Sequence, residues 1–280
     1  MATGKTLEAF EAVHGGPKID RLQRELATER AKVEALADVQ NRVHIETRDD
    51  CHLQFAVVGD RHVGSLYHHA AAIQAFYDYA EQMGADVVLD AGDILDGHRV
   101  YKGQEFELRD IGFEAQLDRL EQDAPKNLPT QFITGNHDAS FKNAAGICVG
   151  KSIEARVPGY GFLGEEQATI SYSTPNGAFT IMLMHPGGGS AYALSYRPQK
   201  LIESLEGGTK PNMLIIGHYH KAEMMPSYRN VCALQPGTFQ RQTPFMARQG
   251  LAAHVGGWIM DVTVGEDHNT VRGEFVAVYV

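Results

Sequence analysis

The chain has 280 residues, 43% of them hydrophobic and 21% charged, with 25 Lys and Arg against 35 Asp and Glu for a formal net charge of −10. That balance excludes disorder as the main state, and no run approaches the ~18 uninterrupted apolar residues of a membrane-spanning helix. The acidic surplus disfavours binding nucleic acid through the whole surface, unless something local reverses the sign.

Met1 to Gly16 carries Glu8, Glu11 and His14 where a secretory apolar segment would lie. Cys51, Cys148 and Cys232 are too few and too far apart for a disulfide framework, so a cytoplasmic location is expected. In chain order, Ile19, Leu22, Leu26, Val33 and Leu36 recur at helical spacing with charges between them. They predict a helix over 19–40 in an N-terminal helical extension of residues 1–50, either laid on the main domain or forming a short coiled coil with a partner or a second copy. Residues 51–280 read as one domain. Leu53–Val58, Asp86–Leu89 and Gln131–Thr134 are short buried strands, alternating with helical patterns over Tyr67–Met83 and Phe106–Leu120. Such alternation points to a parallel sheet. Beyond Pro158 the pattern turns to hairpins, with Pro175-Asn176-Gly177 between two alternating runs, then a helix over Ala191–Leu205 and strands at Asn212–Ile216, Val231–Leu234, Trp258–Val264 and Val271–Val280. The expected class is α/β: two packed mixed sheets flanked by helices.

Thirteen histidines are the unusual count. His14, His44, His52, His254 and His268 read as surface or packing residues, whereas others fall into five blocks that share one form, an apolar strand followed by a polar cluster. The blocks are Gly59-Asp60-Arg61-His62, Gly92-Asp93-Ile94-Leu95-Asp96, Gly135-Asn136-His137-Asp138, Met184-His185-Pro186 and Gly217-His218-Tyr219-His220. A single strand-end Asp is usually a turn or cap residue. Five such clusters at one sheet edge supply imidazole and oxygen donors for two divalent cations.

This ordered set resembles the calcineurin-like metallophosphoesterase superfamily over Leu53–Thr238. The resemblance implies a four-layer αββα sandwich and two metals, one held by Asp60, His62 and His220, the other by Asn136, His185 and His218, with Asp93 bridging. It also implies that His137 acts on the substrate, oriented by Asp138. Two cations roughly 3.5–4 Å apart can acidify a water held between them and clamp phosphoryl oxygens, while His137 serves as general acid or electrostatic partner. The donor mixture suits Mn²⁺, with Fe²⁺ or Zn²⁺ as alternatives. Asp96 stands where purple acid phosphatases place a metal-binding Tyr, and the Gly-Asp-x-x-Asp form is similar to that of DNA-repair nucleases. The expected function is a metal-dependent phosphodiesterase, foremost a nuclease acting on DNA. Hydrolysis of cyclic nucleotides or other small phosphoesters, and a non-catalytic metal-bound scaffold, are the alternatives. Arg61, His98, Arg99 and Arg197, with Tyr101, Lys102, Tyr192 and Tyr196 near them, are the expected substrate contacts.

Overall fold

The computed structural model describes residues 43–208 and 210–278. The expected helix over 19–40 lies outside them. Among the described residues, twelve strands form two six-stranded sheets. The first, in order β1 (Val43–Thr47), β6 (Gln167–Thr174), β7 (Gly177–Met184), β8 (Met213–Ile216), β10 (Val231–Pro236) and β9 (Ala222–Tyr228), mixes parallel and antiparallel neighbours. The second runs β12 (Asn269–Ala277), β11 (Gly256–Val264), β2 (His52–Val58), β3 (Val87–Asp90), β4 (Thr130–Thr134) and β5 (Tyr160–Glu165). Within it β2, β3, β4 and β5 are parallel, and β11 closes the sheet antiparallel to β2. β1 pairs with β6, so the folded domain takes in residues ahead of the expected boundary at 51.

The two-residue period of the strands builds the layers. On β2, Leu53, Phe55 and Val57 face the other sheet, where they meet Ile170, Ile181, Met213 and Ile215. Ala56 and Val58 face the opposite way, against Ile73, Phe76 and Tyr77 of α1 (Ala70–Gln82). β8 repeats the logic. Met213 and Ile215 point between the sheets, while Leu214 and Ile216 pack on Ile202 of α5 (Tyr196–Ser204). A further cluster, with Leu117, Leu120, Phe141 and Ile153 at its centre, seats α2 (Phe113–Asp123), α3 (Asn136–Ala145) and α4 (Val149–Arg156) on the second sheet. Each fully buried Leu, Ile or Phe contributes about 1.5–3 kcal/mol. The result is the αββα arrangement. No helix among the described residues is long and apolar enough to cross a membrane.

The expected helix over Phe106–Leu120 is in fact a 3₁₀ turn at Gln104–Phe106 followed by α2, and that over Ala191–Leu205 shortens to α5. The hairpin at Pro175-Asn176 is present, joining β6 to β7. β5, β9, α3 and α4 had no distinct pattern in the sequence. A last short helix, α6 (Pro244–Arg248), begins at Thr243, whose hydroxyl accepts the Met246 N–H at 3.2 Å.

Candidate metal centre

All five blocks follow strands that run in the same sense within their sheet: β2, β3 and β4 in one, β7 and β8 in the other. Their ends therefore open on a common edge. Backbone bonds carry the pairing past the strands: Asp60 N–H donates to Gly92 O (2.8 Å), His62 N–H to Asp93 O (3.0 Å) and Gly217 N–H to Met184 O (3.0 Å). Two motif glycines are needed for close approach. A Cβ on Gly135 would collide with the Asp93 carboxylate, and one on Gly217 with Ala91 O. Asp60, His62, Asp93, His218 and His220 all have φ between 51° and 82°, the left-handed region that L-residues avoid. Such strain costs of order 1–3 kcal/mol per residue, and here it gathers on five polar residues of one site.

Three groups of donors converge, each with its ligand atoms within 4.8 Å of one another: Asp60, His62 and His220; Asp93, His185 and His218; and His62, Asp96 and His137. In the first, His220 Nε2 lies 3.4 Å from Asp60 Oδ1 and 3.0 Å from His62 Nε2. In the second, His185 Nε2 lies 3.1 Å from Asp93 Oδ2 and 3.2 Å from Asn136 Oδ1, and His218 Nδ1 lies 2.8 Å from the same Asn136 oxygen.

The outer nitrogens set which atom each ring offers. His62 Nδ1 donates to Asp96 Oδ1 (3.0 Å), His185 Nδ1 to Ala91 O (2.7 Å), and His218 Nε2 to Gly188 O (2.7 Å). On His62 and His218 the opposite nitrogen is left as a lone pair aimed inward, whereas that of His185 faces the Asp93 carboxylate. His62 Nε2 therefore faces His220 Nε2 without a proton of its own, while His220 Nδ1 is buried without a protein partner. Lone pairs, carboxylates and an amide oxygen crowded this closely fit divalent cations. Asp60, His62 and His220 would hold one, and Asn136, His185 and His218 the other. Asp93 lies against the second set, its Oδ1 accepting the His137 N–H (2.8 Å) at the start of α3.

Burial opposes charge on Asp60 and Asp93, but neighbouring imidazoles outweigh it: His220 and His185 hold Asp60 below the usual carboxylate range, and His185 and His137 hold Asp93 well below it. The reciprocal effect appears on His185. Burial alone would lower it, yet Asp93 and Asp60 raise it to about 10. His62 and His218 are lowered, first by burial and then by neighbouring imidazoles.

His137 donates through Nδ1 to the Asp96 carbonyl (2.6 Å) and lines a cavity of about 590 Å³ in front of the donor groups. Asp138 does not orient it, contrary to the sequence expectation. Both Asp138 oxygens accept backbone N–H groups, from Leu95 at 2.9 Å, Ile94 at 3.2 Å and Gly135 at 2.9 Å. Burial, then Asp93, pushes its carboxyl up to about 7 against the pull of those three donors. Asp138 thus ties the second block to the N-terminus of α3.

The expected substrate contacts also need revision. Arg61 is 1% exposed and lies beneath the site, with Nε 2.7 Å from Asp90 Oδ2 and its other nitrogens donating to Tyr160 and Tyr77 hydroxyls. His98 and Arg99 are not among the residues lining the cavity. Arg197 braces the rim from behind, donating to Gly187 O (3.1 Å) and lying over the Tyr219 ring. Sequence reading missed Asp96 and Gln240 as supports. Gln240 Nε2 donates to Ser65 Oγ and to Asp96 Oδ1, which in turn holds His62. For Asp96 the signal was its place inside the second block; for Gln240 there was none.

Among known proteins, the calcineurin-like phosphoesterase superfamily domain matches residues 53–254. The DNA polymerase II small subunit of Halobacterium salinarum is 34% identical over 104 residues, covering 35% of this chain and 20% of the relative. This chain thus spans about a fifth of the length of that curated relative. Of solved structures, GAP50, the anchor in the inner membrane complex of Plasmodium, aligns at a TM-score of 0.51 with 11% identity, covering 81% of this chain and 85% of that one. A Vps29 variant of Entamoeba histolytica aligns at 0.40 with 18% identity, covering 81% and 100%. The family match covers most of the chain and contains all five blocks, so the chain belongs to the calcineurin-like phosphoesterase superfamily.

Proposed function

We propose that this protein is a dinuclear metal-dependent phosphodiesterase that cleaves nucleotide phosphodiesters, DNA among them. The observation that carries the reading is the joint arrangement of two donor groups beside Asp93 with His137 at the mouth. Two bound divalent cations would supply an acidified water and offset the charge of the phosphoryl oxygens. Mn²⁺ is the metal we would supply first, since imidazole, carboxylate and amide oxygen together suit it.

The chain's own groups do the rest. Asp96, through its carboxylate, fixes His62 and, through its carbonyl, His137. With Nδ1 committed as donor, His137 presents Nε2 to the cavity, where its imidazolium form, with a proton on each nitrogen, can hand the Nε2 proton to the departing oxygen and keep the one on Nδ1. Asp138 keeps the second and third blocks in register, and so keeps Asp93 and His137 adjacent. A non-catalytic scaffold would have no use for an imidazole held with a nitrogen directed at open space. Similarity to a DNA polymerase small subunit supports including DNA among the substrates.

The test is turnover of bis-p-nitrophenyl phosphate and p-nitrophenyl phosphate by Mn²⁺-loaded protein, followed by single- and double-stranded DNA and cyclic nucleotides. Faster cleavage of the diester is expected. Preference for the monoester would overturn the diesterase reading, and metal uptake with no turnover on any substrate would favour the scaffold.

A further inference from the structure

Beside the donor groups, the cavity wall changes character. Val100, Tyr101, Phe245, Met246 and Leu251 face it, and no Lys or Arg is among the described residues that line it. The Tyr101 and Phe245 rings stack on each other with centroids 4.6 Å apart and planes 25° apart, and the Tyr101 ring meets His137 edge-on at 6.2 Å. Both rings are braced. The Tyr101 hydroxyl donates to Glu107 Oε2 (2.9 Å), and Phe245 is carried on α6, whose start is fixed by Pro244 and the Thr243 cap. Gln249, one turn further on, brings an amide to the same mouth, with both a donor and an acceptor for a heterocycle edge.

We infer that this wall is a base-binding subsite: it receives the planar ring of a nucleoside whose single phosphodiester is engaged at the donor groups. The inference rests on the phosphodiesterase reading and narrows its substrate to nucleotide-sized diesters or the last nucleotide of a strand. A cavity of about 590 Å³ falls within the ~300–1,000 Å³ of small-molecule sites. A neutral aromatic wall rewards stacking of any base, whereas additional phosphates would find no cation along the lining.

The experiment compares two diesters with the same leaving group, thymidine 5′-(p-nitrophenyl phosphate) and ethyl p-nitrophenyl phosphate, on Mn²⁺-loaded wild type, Phe245→Ala and Tyr101→Leu. Calorimetric binding of thymidine 5′-monophosphate against ethyl phosphate runs in parallel. Wild type should prefer the thymidine ester at least about tenfold in kcat/KM, and each variant should shrink that preference about five- to hundredfold, mainly through KM. Equal kcat/KM for the two esters in wild type, or a preference untouched by Phe245→Ala, overturns the inference while leaving the phosphodiesterase reading in place. Selective binding of the nucleotide, lost in Phe245→Ala, with neither ester cleaved, upholds the subsite and overturns the phosphodiesterase reading. The same ester at the 5′ end of an eight-nucleotide strand separates the sources. A kcat/KM no higher than that of the mononucleotide assigns the subsite to free nucleotides, and a higher one to DNA ends.

Discussion

Replacing Arg61 by Met decides between two roles for a residue that sits between two ligands in sequence. The guanidinium is enclosed by Asp90, Tyr77 and Tyr160, with Nη1 donating to the Tyr160 hydroxyl at 2.8 Å and Nη2 to the Tyr77 hydroxyl at 2.5 Å. It lies over both rings, 5.6 and 5.3 Å from their centroids. Asp90 is fully buried, and burial already pushes its carboxyl up, with Arg61 as the chief opposing influence. Removing one partner of such a pair costs about 3–5 kcal/mol, because the other charge stays buried alone. Urea unfolding of chelator-treated protein should show a loss of that size. In Arg61→Met/Asp90→Asn the buried charge is gone and an amide oxygen can still accept the Gly92 N–H, so at least about half of the loss should return. The pH dependence has a definite sign. An Asp90 without Arg61 has a folded-state pKa raised further above the unfolded value near 3.9, so stability is retained at low pH and lost as pH rises through the folded value. The deficit of the single variant should therefore shrink as pH falls toward 5. A cost below about 1 kcal/mol together with loss of turnover would refute the reasoning and place Arg61 against the substrate.

His137→Ala should lower turnover about 10²- to 10⁴-fold with both metals retained by elemental analysis; unchanged turnover would remove its assigned role. Asp96→Asn keeps the shape but weakens the hold on His62 Nδ1, and should cost about 10- to 100-fold in metal affinity, read by competition with a chromogenic chelator. In chelator-treated protein His185, raised to about 10, carries a proton at pH 8 that must leave for Nε2 to bind a cation. Calorimetric Mn²⁺ titrations in buffers of different ionisation enthalpy should therefore report about one proton released, and an enthalpy independent of buffer would contradict the assignment.

The strands and the blocks were legible because both depend on short-range regularities. β2 shows a two-residue alternation, the β6–β7 turn has its Pro-Asn-Gly, and each ligand block closes an apolar run. What escaped was direction. Asp60 and His62 both take φ of 51°, so the loop does not alternate as a strand would, and Arg61 turns beneath the sheet rather than toward solvent. Asp138 follows His137 directly, but both lie in the first turn of α3, where consecutive side chains diverge by about 100°. One meets the cavity and the other reaches back to Gly135 and the second block. Tyr101 was legible from its place after the second block, but Phe245 becomes its partner only through tertiary packing, and nothing local marks Phe245 as a wall of the site.

The net charge of −10 and the makeup of the cavity together fix how binding must respond to salt. Asp60, Asp93, Asp96 and Asp138 are all buried at the site, and the nearest buried cation, Arg61, is already spent on Asp90. The positive charge available to a phosphoryl group therefore comes from the two cations that the donor groups would hold, a local change of +4 confined to one end of the cavity. One diester satisfies it, and the aromatic wall adds no charge for a second phosphate. A groove that neutralises six to ten phosphates with Lys and Arg loses about 10³- to 10⁵-fold in affinity between 50 and 200 mM salt. Here kcat/KM for the thymidine ester at the 5′ end of an eight-nucleotide strand should change by no more than about threefold over that range, since a single contact with bound cations is at stake. Measured initial rates at subsaturating ester give the ratio directly. A fall of a hundredfold or more would mean that exposed basic residues outside the cavity, Arg99 and Lys102 foremost, carry the substrate along an extended track.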